Sequence, residues 1–353
     1  HLSKILHGVW NWSWKMSEIR LDRIHNKYVV IAPERLFRPN LNCRNEKKNS
    51  VSLICPFCDG NEDLTPPEIF ALRDNEANEP SWRTRVVPNL YKAVQVELSD
   101  ISKRDGIFES IPGVGAHEIL IDSPCHECDF YQLDTSAIED WLRTMIIRIE
   151  DLKNDTRLIY LSIFKNVGIN AGATQEHPHT QLLALPIMPK EEMAFLEENM
   201  RYYRSHGRGL VEDVLFNELA SKKRIVVRHG NFVAFCPFAS AYPFEVMIAP
   251  LTNIASLCKC SRKDVSDLSV LIKRVFESLH KQLGVFAYNL SLKMAPLNTN
   301  FENEMYMNHL DKNYRFILRI TPRIYNLGGF EISTGMAINS VVPEESAKML
   351  GGE

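Results

Sequence analysis

Apolar positions recur along this chain in a pattern that switches between two periods. KYVVIAP (27–33) predicts a strand ending at Pro33. GAHEILIDSP (115–124) alternates apolar and polar residues and stops at a proline, so it predicts a second strand. TSAIEDWLRTMIIRIEDL (135–152) has helical spacing, and Thr135 or Ser136 can cap it. RLIYLSIFKN (157–166) and HTQLLALP (179–186) follow as strands. NLNCRNEKKNS (40–50) and ALRDNEANEPSWR (71–83) are polar and rich in turn formers, and read as loops.

The order then recurs. FEVMIAPL (244–251) resembles HEILIDSP in pattern, and CSRKDVSDLSVLIKRVFESLHKQL (260–283) supplies the matching helix. FAYNLSLKMAP (286–296) and YRFILRITP (314–322) supply the matching strands. Strand, helix, strand, loop and strand occur twice, offset by roughly 130 residues. The expected class is α+β, with two tandem units, each an antiparallel sheet with a long helix packed on it. The first unit is expected over 16–190 and the second over 191–353. Residues 1–15, HLSKILHGVWNWSWK, lack both a continuous apolar core and a cleavage site. They are expected to be a non-native or disordered extension, the alternative being an amphipathic arm.

The two units differ in polarity at their last strand. In EHPHTQ, His177, His179 and Gln181 occupy alternate positions, which share one face if the segment is a strand. The second unit has Tyr314, Phe316, Leu318 and Ile320 there, with Arg315 and Arg319. A neutral imidazole is a nucleophile near pH 7 and can carry a phosphoryl group between two acceptors. A glutamine beside it can donate to a phosphoryl oxygen. The loop upstream, NVGINAGATQ (166–175), with Gly172 and Thr174 in it, is small enough for backbone N–H groups to approach phosphate. Arg35 and Arg38, in PERLFRP, can pair with phosphate charge.

Cysteine usage adds a metal candidate. Eight cysteines in 353 residues are too few for a disulfide scaffold. CPFC (Cys55, Cys58) is a zinc half-site that needs two more ligands, from Cys125 and Cys128 in CHEC, from His126, or from His177. Charge and hydropathy narrow the class further. A net charge of -3 leaves no nucleic-acid footprint, and no apolar run reaches the roughly 18 residues a membrane helix needs.

CPFC (55–58), VVPNLYKAV (86–94), HEILIDSPCH (117–126), NVGINAGATQEHPHTQ (166–181) and AYPFEVMIAP (241–250) stand in a telling order and spacing. Together they resemble the galactose-1-phosphate uridylyltransferase family, a branch of the histidine-triad superfamily, over residues 17–350. NLY (89–91) and GGFEISTG (328–335) look more like the ADP-glucose phosphorylase branch. The resemblance implies two tandem histidine-triad-like units, a homodimer and a cytoplasmic enzyme. It implies ping-pong transfer of a nucleoside monophosphate from an NDP-sugar to a sugar 1-phosphate or inorganic phosphate.

Carried over by position, His179 is the nucleophile and Gln181 holds the phosphoryl oxygens. Asn166 and Thr174 contact phosphate, Thr174 standing where the family usually has Ser. Gly172 lies in the same loop, Arg35 and Arg38 match the phosphate-side arginines, and Asn89 matches a nucleoside-side position. The implied zinc ligands are Cys55, Cys58, His126 and His177, with Cys125 and Cys128 as rivals. Four protein ligands make such a zinc structural. A second metal site of the family is expected to be absent, since Lys293 and the YRFILRI strand occupy its positions. The first reading is a UDP-glucose:hexose-1-phosphate uridylyltransferase. An ADP-glucose phosphorylase is the alternative, and a non-catalytic zinc-stapled nucleotide-binding protein is the rival from another class.

Overall fold

A computed structural model describes residues 16–37, 54–299 and 309–351. The extension 1–15, Arg38 and the polar stretch 40–50 lie outside the described residues. The chain opens with a hairpin of β1 (Glu18–Asp22) and β2 (Lys27–Ile31). It continues through β3 (Phe70–Arg73), β4 (Trp82–Pro88), an exposed hairpin of β5 (Lys103–Asp105) and β6 (Phe108–Ser110), and β7 (Ala116–Ile121). Helix α1 (Thr135–Leu152), β8 (Tyr160–Val167) and β9 (His179–Leu185) follow. Next come α2 (Lys190–His206), α3 (Leu210–Ser221), β10 (Ile225–His229), β11 (Phe232–Phe235) and β12 (Val246–Pro250). The chain ends with α4 (Arg262–Leu283), β13 (Tyr288–Lys293), α5 (Leu310–Asn313), β14 (Ile317–Pro322), α6 (Gly329–Thr334), β15 (Ala337–Asn339) and α7 (Pro343–Met349).

The α+β class holds, but the two expected sheets are one. Ten strands run in the order β10-β11-β12-β14-β13-β8-β9-β7-β4-β3, every neighbouring pair antiparallel. Each half contributes five strands, and the order in one half mirrors that in the other. The joint is the β8–β13 ladder, which runs from Val167 opposite Tyr288 to Ile163 opposite Leu292. Two five-stranded sheets would each have left an open edge there; pairing them satisfies both rows of backbone groups.

Helices α1 and α4 lie side by side on one face. Trp141, Leu142 and Met145 of α1 join Ile272, Phe276 and Leu279 of α4 in a single core with Leu120, Leu182, Leu290 and Leu318 of the sheet. The α1 cap is Asp134, one residue before the expected Thr135, because its carboxylate accepts from the Ala137 N–H at 2.8 Å. Ser261 and Asp264 cap α4 reciprocally. Polar groups inside this core are matched. Trp141 donates to the Thr180 hydroxyl at 2.9 Å, Thr180 donates to Asp122 at 2.8 Å, and Asp122 pairs with Lys165.

The other face is treated differently in the two halves. In the second half α2 and α3 cover it, with Phe195, Leu196, Leu210 and Leu215 packed on Val233, Phe235, Met247 and Ile317. In the first half it carries a small cluster of Phe57, Trp82, Val87, Ile119 and Ile121, and the remainder is polar. The stretch 71–83, expected as loop, holds the end of β3 and the start of β4. β3 has only four residues and forms the sheet edge with β4 beside it, and Glu68 ties the two strands by accepting from Arg73 and Arg85. Among the described residues, no helix is long and apolar enough to cross a membrane.

Candidate functional site

His179 opens β9 and faces the uncovered side of the first half. Its neighbours in register are Ile121 on β7 and, one step beyond the Lys165–Thr180 pair, Asn166 on β8. Gln181, two residues along, shares the face. The His179 ring is 6% exposed and its Nδ1 lies 3.0 Å from the His177 carbonyl oxygen. A carbonyl only accepts, so Nδ1 carries the proton and Nε2 keeps its lone pair. Burial lowers the His179 pKa, and the Lys165 charge acts in the same direction. The ring is therefore a neutral imidazole with one nitrogen anchored and one available.

The expected alternation of three residues on one strand is altered at its start. Pairing of β9 begins at His179, so His177 and Pro178 precede the strand, although the Asp122 N–H donates to the Pro178 carbonyl at 3.3 Å. His177 is 1% exposed and donates from Nε2 to the Ser123 carbonyl at 2.9 Å, which turns Nδ1 toward the CPFC turn. That Nδ1 is 3.7 Å from both Cys55 Sγ and Cys58 Sγ, and His126 Nδ1 is 3.2 Å from Cys58 Sγ. One ligand atom from each of these four residues lies within 4.8 Å of all the others, a cluster that could hold a metal ion. Phe57, between the two cysteines in sequence, meets the His177 and His179 rings edge-on at 6.2 and 5.5 Å. It joins the cysteine–histidine cluster to His179, two residues beyond His177.

The rival four-cysteine set is not assembled. Cys125 and Cys128 are bonded to each other, closing the CHEC turn at a Cα separation of 5.5 Å. That turn directs His126, lying between them, toward Cys58. These two cysteines thus read as a disulfide and not as metal ligands.

Asn166 lies on β8 opposite His179, one step beyond the Lys165–Thr180 pair, and Asn89 directly follows β4. Asn166 accepts at Oδ1 from Asn289 of β13, at 2.8 Å. The Asn89 N–H donates to the His117 carbonyl, and Asn89 Nδ2 lies 3.1 Å from His117 Nε2. His117 Nε2 is also 3.0 Å from Gln181 Oε1, so the ring stands between Asn89 and Gln181. Gly172 and Thr174 sit exposed in the turn between β8 and β9. The turn is held close to the second half at Gly168, where a Cβ would stand 2.8 Å from Ala287 Cβ. Arg35 lies on a 3-10 turn after β2, near Tyr325, whose phenol pKa is raised by burial and opposed in small part by the Arg35 charge. Among the described residues it makes no hydrogen bond or ion pair with His179, Gln181 or Asn166. Lys293 bonds Glu192 at 3.0 Å and covers the Phe195 ring, both on α2.

Three contributors escaped the sequence reading. His117 was visible only as one polar position in an alternating strand. Asn289 sits in the half that shows no polar chemistry. Phe57 is an ordinary residue between two cysteines.

A duplicated antiparallel sheet with a buried neutral histidine, two carboxamides and a glycine-containing turn on its open face has the architecture of a histidine-dependent transferase. The model of the galactose-1-phosphate uridyl transferase N-terminal domain matches residues 10–189, and that of the C-terminal domain matches 195–351. The chain is 32% identical to the ADP-glucose phosphorylase of Arabidopsis thaliana over 337 residues, covering 94% of this chain and 92% of that protein. It is 25% identical to the galactose-1-phosphate uridylyltransferase of Thermotoga maritima, covering 95% and 98%. The crystal structure of the Arabidopsis thaliana ADP-glucose phosphorylase with bound ADP-glucose superposes with a TM-score of 0.80, at 32% identity, covering 95% of this chain and 98% of that one. The chain belongs to the galactose-1-phosphate uridylyltransferase family and is a nucleotidyltransferase.

Proposed function

We propose that the protein transfers a nucleoside monophosphate from an NDP-sugar in two displacements, with His179 as the nucleophile. The observation that carries this reading is the anchoring of His179, whose Nδ1 stands 3.0 Å from a backbone carbonyl and so leaves Nε2 as the nitrogen with a lone pair. In the first displacement Nε2 forms a bond to the α-phosphorus, and the bond to the departing sugar 1-phosphate oxygen breaks. In the second, a phosphate oxygen of the acceptor forms the new bond to phosphorus and the N–P bond breaks, restoring the imidazole. Charge growing on the phosphoryl oxygens is met by Gln181, Asn166 and the turn carrying Gly172 and Thr174. Asn89 lies on the nucleoside side in this reading, and Arg35 and Arg38 supply positive charge for the phosphates.

Cys55, Cys58, His126 and His177 would hold a zinc ion. Tetrahedral zinc bonds of about 2.3 Å to sulfur and 2.0 Å to nitrogen give sulfur–nitrogen edges of about 3.5 Å. The measured edges of 3.2 and 3.7 Å fit that donor set. With four protein ligands the ion would brace the chain and leave no position for water. His177 and Phe57 would pass that rigidity to His179. A homodimer and a cytoplasmic location are expectations carried by the family resemblance alone.

For base and acceptor, the first reading is UDP-glucose with a hexose 1-phosphate, supported by the two family models and the Thermotoga maritima relative. The second is ADP-glucose with inorganic phosphate, supported by the 32% identity to the Arabidopsis thaliana enzyme over 94% of this chain. The experiment offers UDP-glucose and ADP-glucose separately, each with galactose 1-phosphate and with phosphate. Intact-mass measurement looks for the adduct on His179, and product analysis identifies the sugar 1-phosphate released. An adduct of uridylate assigns the first reading and one of adenylate the second. No adduct with either nucleotide leaves the non-catalytic nucleotide-binding protein as the better account.

A further inference from the structure

A carboxamide presents an acceptor on one side and two donors on the other. A phosphate contact made by Gln181 or Asn166 is useful only if the nitrogen faces the ligand. Both residues are half-buried with an open side, and nothing in their own chemistry decides which way they turn. Two short chains of hydrogen bonds decide it, each starting from a backbone group whose role is fixed.

The first chain starts at the Ala93 N–H. It donates to His117 Nδ1 at 3.2 Å, so that nitrogen carries no proton. His117 Nε2 therefore carries one and donates to Gln181 Oε1 at 3.0 Å. Asn89 Nδ2, 3.1 Å from the same ring nitrogen, is also a donor, so it makes no hydrogen bond to the protonated Nε2; its Oδ1 accepts from the Tyr91 N–H at 2.9 Å. The second chain starts at the Ala171 carbonyl, which can only accept. Asn289 Nδ2 donates to it at 2.8 Å, and the same amide nitrogen donates to Asn166 Oδ1 at 2.8 Å. In both cases the carboxamide oxygen is taken and the NH2 group is left for the open face.

We propose that His117 and Asn289 are positioning residues that hold the Gln181 and Asn166 carboxamides oxygen-bound and nitrogen-free, so that the site presents amide donors to the phosphoryl group. This rests on His179 being the nucleophile. It also gives the second half of the chain a role at the site, since Asn289 braces Asn166 and the turn at Ala171 together across the β8–β13 joint. A misdirected amide sets its oxygen against a phosphoryl oxygen, and the loss appears in the transition state, where that charge is greatest.

The test compares His117→Leu, His117→Gln and Asn289→Asp with the parent. Steady-state rates and rapid-quench formation of the nucleotidyl adduct are measured with whichever NDP-sugar labels the parent enzyme. Glutamine keeps a donor near the position of Nε2, whereas leucine removes it. The aspartate would place a carboxylate against the Asn166 and Ala171 oxygens. H117L and N289D are expected to lower kcat about 10- to 100-fold, less than outright loss of an oxyanion donor. The KM for the NDP-sugar should stay within about threefold, and H117Q should recover most of the lost rate. The proposal is overturned if H117L reacts at the parent rate. It is equally overturned if H117Q is as slow as H117L, since the ring would then act only by its packing. Thermal melts of all variants identify any that fail to fold, and for those the H117Q rate decides. If the parent forms no adduct, the nucleophile assignment fails instead, which is a separate outcome.

Discussion

The two halves of the sheet place different residues at the same structural address. Aligning the midpoints of β8 (Tyr160–Val167) and β13 (Tyr288–Lys293) makes Lys293 the counterpart of Asn166. The residue opposite Lys293 is Ile317, so Ile317 stands where the first half has His179. Two residues on, Arg319 stands where the first half has Gln181. Ile317 is buried under α2 and α3, Arg319 is bound to the buried Glu245, and Lys293 is tied to α2. One half leaves the face open, with His179 and Gln181 on it; the other closes it with two helices. The strand framework is therefore neutral with respect to function. What differs is whether a layer covers it.

The largest effect is expected at the open face. His179→Ala removes the only atom proposed to bond phosphorus, and transfer should fall by at least about 10^4-fold, as for other nucleophile deletions. The melting temperature should hardly change, because the residue lies at the rim of a small cluster. Intact mass after incubation with NDP-sugar checks the first point and calorimetry the second. Transfer retained within tenfold would end the claim that the open half carries the reaction through this residue.

The mirror substitution, Arg319→Ala, should do the opposite. It removes the charge partner of Glu245, which is 1% exposed, takes the Arg319 Nε at 2.6 Å and would keep the Ala241 and Tyr242 N–H donors. Breaking a buried pair by removing one partner costs about 3–5 kcal/mol. Denaturant midpoints should drop accordingly, while the adduct still forms on whatever protein remains folded. A neutral outcome would mean that the covered half is held by its apolar layer alone.

A smaller loss is expected at the metal corner. Cys58→Ala removes one of four ligands, so bound zinc, measured by elemental analysis, should fall well below one per chain. Loss of support for His177 should slow transfer about 10- to 100-fold, the range found when the surroundings of a metal ligand are disturbed. Full activity with no metal bound would separate the corner from the nucleophile.

Much of this contrast was legible in the sequence, and the rest was hidden for identifiable reasons. The recurring periodicities gave both long helices and the strands next to the joint, because α1, α4, β8 and β13 are long and strongly patterned. HPHTQ and CPFC marked the candidate site because such residue types at such spacing have few structural uses. The joint itself was invisible, since hydrogen bonding between two strand edges leaves no mark on side-chain pattern. The covering helices α2 and α3 were missed as well. Gly207 and Gly209 separate them, and neither has a side-chain cap to announce it. His117 and Asn289 act through partners 64 and 123 positions away in sequence, so only the register of the sheet brings them into view.

The smallest effect concerns the hairpin that borders the covered half. Asp22 closes the β1–β2 turn by accepting from the Ile24 and His25 N–H groups at 2.9 and 3.2 Å and from the His25 ring at 2.6 Å. Burial works to raise its pKa, but the His25 ring and backbone and the Arg319 charge together hold it below the ordinary value. A carboxyl whose folded pKa is depressed stabilises the fold above its unfolded pKa. That contribution is lost as pH falls through the folded pKa, because the unfolded chain takes up the proton first. Stability measured from pH 6 down to pH 3 should therefore fall less steeply in Asp22→Asn than in the parent. At pH 7 the variant should be less stable by about 1–2 kcal/mol, the worth of a charged hydrogen-bonded turn. Because Arg319 contributes to the depression, the acid slope of Arg319→Ala should also be shallower than the parent's. Identical slopes in all three proteins would place the acid-sensitive groups elsewhere and detach this hairpin from the covered half.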